Sequence, residues 1–247
     1  MDEEFIVGRH PVSEAIRAGR EMNKIWFNKE SQLLDEKLMQ TIKERNITVQ
    51  YVPKQKLDRI AGTTRHQGVV ASVASHKYAA IDDLFKRAAS RSEQPFFVML
   101  DGLEDPHNLG SILRTADATG VHGIIIPKNR AVGLTSVVAK ASTGAIEYIP
   151  VVRETNLSRT MDQLKKRGIW FAGTAADATT DYREFKADMP LCIVIGNEGK
   201  GMSRLVKEKC DFLISIPMAG QVTSLNASVA GALLMYEVFR NRHPKEV

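Results

Sequence analysis

An apolar run that ends in a glycine-rich turn gives the clearest indication of the fold: Leu191-Cys192-Ile193-Val194-Ile195-Gly196-Asn197-Glu198-Gly199-Lys200-Gly201-Met202-Ser203. An unbroken apolar run bounded by glycine is typical of a parallel strand covered on both faces. The glycines that follow let a backbone come close to a ligand. Because open parallel sheets bind ligands at the carboxyl ends of their strands, we expect residues 196–203 to border a binding site.

This turn matches neither of the two common phosphate-binding loops. A P-loop requires Lys directly after its last glycine, whereas Met202 follows Gly201. The glycine spacing of the dinucleotide fingerprint runs in the opposite order. The missing fingerprint counts against a nucleotide-dependent oxidoreductase.

Strand-like and helix-like segments alternate on both sides of this turn, which predicts an α/β domain with a mainly parallel sheet. Further strands are predicted at Phe96–Asp101, Gly123–Ile126, Glu147–Val152, Trp170–Gly173 and Phe212–Ile216. Helices are predicted at Pro106–Thr119, Ser136–Ala141, Leu157–Arg167, Ser203–Lys209 and Ser224–Arg240.

The first 75 residues show the same alternation on a smaller scale and predict a small α/β unit. Its strands are predicted at Lys24–Phe27, Thr48–Val52 and Val69–Val73, and its helices at Pro11–Ala18, Leu33–Lys43 and Lys54–Ile60. A polar stretch at residues 87–95 ends in proline and marks a boundary. We therefore predict a first domain over 1–75, a linker over 76–95 with a short helix at Ile81–Ala88, and a second domain over 96–247.

The composition is that of an ordinary globular protein. The chain has 247 residues, of which 43% are hydrophobic and 26% charged, and this excludes a disordered or collagen-like chain. Its apolar runs are far shorter than the roughly 20 residues that span a bilayer, and no apolar stretch of signal-peptide length follows the acidic residues 1–4. We expect a soluble, cytoplasmic protein. Two cysteines are too few for a disulfide framework or a zinc site.

The charge of the chain is mildly basic. A net charge of +5 and a pI of about 9.2 permit a nucleic-acid partner without requiring one, since a well-solvated surface explains them equally well. Five side chains around one loop are candidates for phosphate contacts with a nucleic acid: Lys54, Lys56, Arg59, Arg65 and His66.

A second candidate segment follows the strand Phe96–Asp101. Asp105 before Pro106 is a good N-cap, and Asn108 and Arg114 follow in the helix. Six residues of helix place these two side chains roughly 120° apart, so only a long side chain that swings brings them to one site. A capped helix with a surface arginine explains the spacing equally well.

A third candidate segment leads from Ile216 into the last helix. Ser224 or Thr223 can cap that helix, but capping explains only one of the four polar residues Thr223, Ser224, Asn226 and Ser228. Apolar side chains further along are expected to form a stripe facing the core. They are Val229, Ala230, Leu233, Leu234 and Val238.

Taken in order, the three segments resemble the SpoU/TrmH class of the SPOUT superfamily, which are RNA ribose 2′-O-methyltransferases that use S-adenosylmethionine. The resemblance covers Phe96–Arg240. The N-terminal motifs Gly8-Arg9-His10-Pro11-Val12 and His66-Gln67-Gly68 resemble the substrate-binding domain of RlmB-type bacterial 23S rRNA guanosine methyltransferases. Such domains also occur in tRNA methyltransferases and other rRNA methyltransferases of the class.

The resemblance implies a trefoil-knotted second domain and a homodimer with its active sites near the subunit interface. It also implies an RNA substrate, rRNA before tRNA, and no membrane partner or metal. Cofactor contacts are implied at Thr174, Ala175, Gly196, Asn197, Gly201, Ile216, Met218, Ser224 and Leu225. Catalytic residues are implied at Arg114, Asn108, Glu198, Ser224 and Asn226.

Arg114 is the first candidate for activating the ribose hydroxyl. A guanidinium remains protonated, so it stabilises a developing alkoxide better than it removes a proton. The other four residues are expected to position ribose, phosphate or Arg114, and Glu198 is able to pair with Arg114 directly. A noncatalytic RNA-binding protein is the competing hypothesis, and the intact Asn108, Arg114, Glu198 and Asn226 argue against it.

Overall fold

The computed structural model describes residues 4–20, 22–29, 36–45, 47–73, 76–128, 131–221 and 224–244. Its contacts divide the chain into two compact units. The first unit contains residues 1–77 and 133–148, and the second contains residues 78–132 and 149–247. The segment 133–148, which the sequence-based boundaries assign to the second domain, thus packs in the first unit.

The first unit is built on a four-stranded mixed sheet in the order β1-β4-β2-β3. Its elements are β1 (Glu4–Val7), α1 (Arg9–Arg17), β2 (Met22–Asn28), α2 (Glu36–Glu44), β3 (Val49–Val52), α3 (Lys54–Ala61) and β4 (Val69–Val73). Val12 and Ile16 of α1 and Leu38 and Ile42 of α2 belong to one hydrophobic cluster, and Leu57 of α3 belongs to a second. The strand β1 was not predicted, and residues 33–35 of the predicted helix Leu33–Lys43 lie outside the described residues.

Buried polar contacts attach the segment 133–148 to the first unit. Arg20 donates to Glu147 over 3.1 Å, and both side chains are less than a tenth exposed. The Tyr148 hydroxyl donates to Glu14 Oε2 over 2.7 Å. Gly144 has a φ of +102°, and a Cβ there would lie 2.3 Å from Glu14. Only glycine fits at position 144, because any other residue would overlap Glu14.

The second unit is built on a seven-stranded sheet in the order β7-β6-β5-β10-β8-β11-β9. Every pairing in it is parallel. Its strands are β5 (Phe96–Asp101), β6 (Gly123–Pro127), β7 (Val151–Glu154), β8 (Trp170–Thr174), β9 (Thr180–Asp181), β10 (Leu191–Gly196) and β11 (Phe212–Ser215). Its helices are α4 (Ile81–Ser90), α5 (Pro106–Ala118), α7 (Leu157–Lys165), α8 (Arg204–Glu208) and α9 (Ala227–Arg242), while α6 (Ser136–Ala141) lies in the first unit.

The α/β class and the parallel sheet are confirmed, with one strand misplaced. A strand is predicted from Glu147, but Ala145–Glu147 is a 3₁₀ turn and β7 begins at Val151. The preceding Pro150 has no N–H to give to a ladder, so the strand starts after it. The short β9 was not predicted, and the trefoil knot stays a prediction.

Burial explains why β5 and β10 form the centre of the sheet. All six residues of β10 are buried, as are the first five of β5. Gly231 of α9 packs over β10, since a Cβ at position 231 would lie 2.8 Å from the Ile195 side chain. No helix among the described residues has the length and apolar character needed to cross a membrane.

Candidate active site

A cleft opens where three neighbouring strands of the second unit end. It has a volume of about 240 Å³ and lies at the carboxyl ends of β8, β10 and β11, beside the start of α9. Its lining is largely apolar, with backbone groups and a few polar side chains. The lining residues are Thr174, Ala175, Ala176, Ile195, Gly196, Asn197, Glu198, Gly201, Ile214, Ile216, Met218, Ser224, Leu225, Ala227 and Ala230.

The cleft brings together all nine residues for which cofactor contact is predicted. They come from four separate stretches of sequence, and the parallel order of the strands makes them neighbours. Five further residues line the cleft and were not predicted to do so: Ala176, Ile195, Ile214, Ala227 and Ala230. Ile195 lies at the end of a predicted strand, a position that would have suggested it.

The loop after β10 is held by contacts within the loop and by one hydrogen bond to Gly102. A Cβ on Gly196 would lie 2.3 Å from the backbone of Gly201 and Met202, so the close approach of Gly196 is to its own loop. The Asn197 amide donates to the Gly102 carbonyl over 3.0 Å. Its Oδ1 accepts from the N–H groups of Gly199 and Lys200. The Asn197 side chain therefore fixes the loop that carries Glu198.

Three predicted catalytic side chains form one hydrogen-bonded network beside the cleft. Glu198 Oε1 accepts from Asn108 Nδ2 at 2.5 Å and from Asn226 Nδ2 at 2.8 Å. The backbone N–H of Ala227 also points at this oxygen, at 3.2 Å. Asn226 Nδ2 donates to Asn108 Oδ1 as well, at 3.0 Å. Asn108 is buried, so these partners satisfy an amide that has left water.

Asn226, and not Ser224, caps the last helix. Its Oδ1 accepts from the N–H groups of Ser228 and Val229 at 3.0 and 3.4 Å, and from the Ser228 hydroxyl at 2.6 Å. The helix consequently begins at Ala227, three residues later than predicted. Ser224 is exposed and lines the cleft, and Thr223 lies outside the described residues.

Arg114 lies apart from this network. Its side chain is exposed on α5 and makes no hydrogen bond or ion pair with any other described residue. The direct pair with Glu198 is thus absent from the described part of the chain, where amide groups hold that carboxylate. The cleft lining does not include Arg114. A guanidinium without a protein partner is available to a phosphate or to a developing alkoxide.

The stripe expected to face the core on α9 is only partly buried. Leu234 and Val238 are buried, but Val229 and Leu233 are exposed by 47% and 37%. Tyr236 on the same helix is 53% exposed. Spacings of four and three residues put these three exposed side chains on one helix face. Large apolar side chains grouped on a surface are typical of a protein contact.

The predicted RNA-binding residues divide into two groups in the first unit. Lys54, Lys56 and Arg59 on α3 and Arg65 after it are exposed. His66, however, is only 3% exposed: its Nδ1 accepts from the Gly68 N–H at 2.9 Å and its Nε2 bonds to Asp58 at 2.8 Å. Because both ring nitrogens hold this turn together, the prediction that His66 contacts RNA is withdrawn.

The chain matches two family models and a relative along almost its whole length. The SpoU rRNA methylase family matches residues 95–236, more than half of the chain. The chain belongs to the SpoU methylase family. The substrate-binding domain of RNA 2′-O ribose methyltransferases matches residues 5–79. YacO of Bacillus subtilis, which is named for the TrmH family of tRNA/rRNA methyltransferases, is 58% identical over 98% of this chain and 97% of its own length.

Two solved structures have the same fold as this chain. The SpoU methyltransferase AviRb from Streptomyces viridochromogenes, in complex with AdoMet, is 28% identical and superposes with a TM-score of 0.81 over 97% of this chain and 90% of its own. The AdoMet-bound rRNA methyltransferase from Sinorhizobium meliloti is 26% identical, with a TM-score of 0.80 over 99% of this chain and 88% of its own.

Proposed function

We propose that this chain transfers a methyl group from S-adenosylmethionine to a ribose 2′-hydroxyl of RNA, with a guanosine of 23S rRNA as its target. The observation that carries this proposal is the network of Asn108, Glu198 and Asn226 beside a cleft at the carboxyl ends of three parallel strands. Three motifs far apart in sequence meet there in one polar cluster. If these residues served only to pack the fold, the exposed carboxylate of Glu198 would not need to be held beside a cleft.

The cleft has the chemistry to hold S-adenosylmethionine. Ile214, Ile216, Met218 and Leu225 supply an apolar wall suited to an adenine ring, and the strand ends supply backbone donors and acceptors. The glycine loop that Asn197 fixes supplies a polar rim. When bound, the cofactor supplies a methyl group on a positively charged sulfur, a leaving group that needs no further activation.

The remaining catalytic work belongs to the protein. Alignment of the reacting atoms is worth up to roughly 7–11 kcal/mol in ideal cases. We assign to Arg114 the stabilisation of negative charge on the ribose oxygen, because its exposed guanidinium has no partner among the described residues. Asn108 and Asn226 hold the Glu198 carboxylate in position, and Ser224 positions the ribose and its phosphate.

In this proposal the first unit binds the RNA. The exposed basic side chains of α3 and Arg65 contact phosphates and orient the RNA, while unpaired bases carry the specificity. The exposed face of Val229, Leu233 and Tyr236 supports the proposed homodimer. We also propose that the enzyme works in the cytoplasm, on rRNA.

The test is methylation in vitro, with radiolabelled S-adenosylmethionine and separate 23S rRNA and tRNA substrates. We expect label in 23S rRNA, mapped to a guanosine 2′-oxygen, and loss of that methyl group from the rRNA of cells lacking the gene. Label found only in tRNA would mean that the substrate is tRNA and not 23S rRNA. RNA binding without any transfer would support the noncatalytic alternative.

A further inference from the structure

Glu198 is the one ionisable side chain among the described residues that line the cleft. The other described residues of the lining are apolar, glycine, amide or hydroxyl residues. A reaction that releases a proton at this cleft therefore has one ionisable side chain beside it among the described residues. Neither Asn108 nor Asn226 can take up that proton, because amides are not bases at neutral pH.

The two oxygens of the Glu198 carboxylate differ in their surroundings. Oε1 accepts three hydrogen bonds, from Asn108, Asn226 and the backbone N–H of Ala227. Oε2 accepts none from the described residues, and the side chain is exposed. Three donors on one oxygen fix the orientation of the carboxylate and leave the second oxygen open to a substrate.

We infer that Glu198 Oε2 accepts the proton of the ribose hydroxyl during methyl transfer, an inference that rests on the proposed function. The 2′-O–H bond breaks and a bond from oxygen to the methyl carbon forms. The bond from that carbon to the sulfonium sulfur breaks, and its electron pair stays on sulfur as a thioether. The proton passes to Oε2 and then to water, because the side chain is exposed.

This assignment complements Arg114. A guanidinium stabilises the developing alkoxide but remains protonated, so it cannot be the final proton acceptor. A carboxylate oxygen without a hydrogen-bond donor can accept the proton as the hydroxyl becomes acidic in the transition state. The two residues then divide charge stabilisation and proton removal between them.

The decisive variant is Glu198→Gln, which keeps a carbonyl oxygen for the three donors and replaces the open oxygen with an NH₂ group. We expect the single-turnover rate at saturating RNA and cofactor to fall about 100-fold or more, in the range typical of general-base loss. Calorimetry should show unchanged affinity for S-adenosylmethionine and for S-adenosylhomocysteine. Glu208→Gln, which alters a surface carboxylate of α8, should react at the wild-type rate.

Three results would overturn the inference. A weaker affinity for S-adenosylmethionine with unchanged affinity for S-adenosylhomocysteine would mean that Glu198 balances the sulfonium charge. A rate restored by saturating RNA would make it an RNA contact, and a wild-type rate throughout would remove it from the chemistry. If Glu198→Gln does not fold, Glu198→Ala with added formate replaces it: a rate that rises with formate supports the inference, and no rise overturns it.

The same experiment separates this inference from the proposed function. If the wild-type protein methylates neither rRNA nor tRNA, the proposed function fails. If the wild-type protein methylates RNA and Glu198→Gln does so equally fast, only the proton acceptor is wrong.

Discussion

Asn226 donates its side-chain amide to Asn108, a residue 118 positions earlier in the chain, over 3.0 Å. One partner is the N-cap of α9 and the other lies in the first turn of α5. The same amide reaches Glu198, so the beginnings of two helices and the loop after β10 share one cluster. The effects of substitutions at these three positions on stability should therefore not be additive.

Asn226→Ala should lower both stability and methylation. It removes a helix cap worth about 0.5–2 kcal/mol and leaves the buried oxygen of Asn108 without its partner. Urea unfolding and single-turnover kinetics measure the two effects. Asn156→Ala is the matched control, because Asn156 caps α7 by accepting from the Arg159 N–H. It should lose similar stability and keep the wild-type rate; equal rates in both variants would contradict a role for Asn226 in the site.

Arg114→Ala should lower the single-turnover rate by about 100-fold or more, by analogy with the loss of a donor to an oxyanion. Stability and cofactor affinity should not change, because the guanidinium is exposed, has no partner among the described residues and does not line the cleft. Arg114→Lys keeps the charge but loses the planar fork, so it should recover the rate only in part. Arg159→Ala, at another exposed helix position, is the control. Wild-type turnover by Arg114→Ala with both ligands saturating would remove the residue from the mechanism.

Gly196→Ala should damage the cleft, because its Cβ would overlap backbone atoms of Gly201 and Met202. Backbone cannot move aside as a flexible side chain can, so we expect a loss of about 1–3 kcal/mol in the free energy of unfolding. Affinity for S-adenosylmethionine, measured by calorimetry, should fall with it. Gly199→Ala tests the same loop, where the nearest atom to a new Cβ is 3.7 Å away, and should leave both quantities near wild type. Two variants that behave alike would show that the loop tolerates the overlap.

Replacing Lys54, Lys56, Arg59 and Arg65 with Ala should weaken RNA binding and flatten its dependence on salt. Each lost phosphate contact to single-stranded RNA should reduce the slope of log affinity against log salt by about 0.7. Affinity for S-adenosylmethionine should hold, since the cleft lies in the second unit. Lys37→Ala with Lys43→Ala on α2 is the control. A slope that changes only in the control would assign RNA to α2 instead.

Acid should destabilise the first unit through His76. Burial, and then the charge of Arg20, lower the pKa of His76 from 6.5 to about 3. Between these values the unfolded chain binds a proton that the folded chain does not, so the stability from this residue is complete above pH 6.5 and declines towards pH 3. Urea unfolding at a series of pH values should give a shallower decline for His76→Gln than for wild type. Parallel curves would mean that His76 titrates normally in the folded protein.

Most of the second unit could be predicted from local sequence. The strands β5 and β10 are unbroken apolar runs, and α5 begins at Asp105-Pro106, where Asp105 Oδ1 accepts from the His107 N–H at 2.9 Å. Each of these features can be recognised from a few neighbouring residues. The stripe on α9 was misjudged because Val229 and Leu233 are as apolar as Leu234 and Val238, and hydropathy does not distinguish a core from an exposed face.

The sequence by itself determined which residue types this protein brings to its candidate site, because strand ends, glycine turns and helix caps are local features. Only the tertiary structure decided which of them meet. Parallel pairing of β5 with β10, and the packing of α9 against α5 and β10, join Asn108, Glu198 and Asn226 across the chain, while Arg114, six residues beyond Asn108, lies outside their network. Burial likewise assigned His66 to the turn it stabilises, since the exposure of a side chain depends on what packs over it.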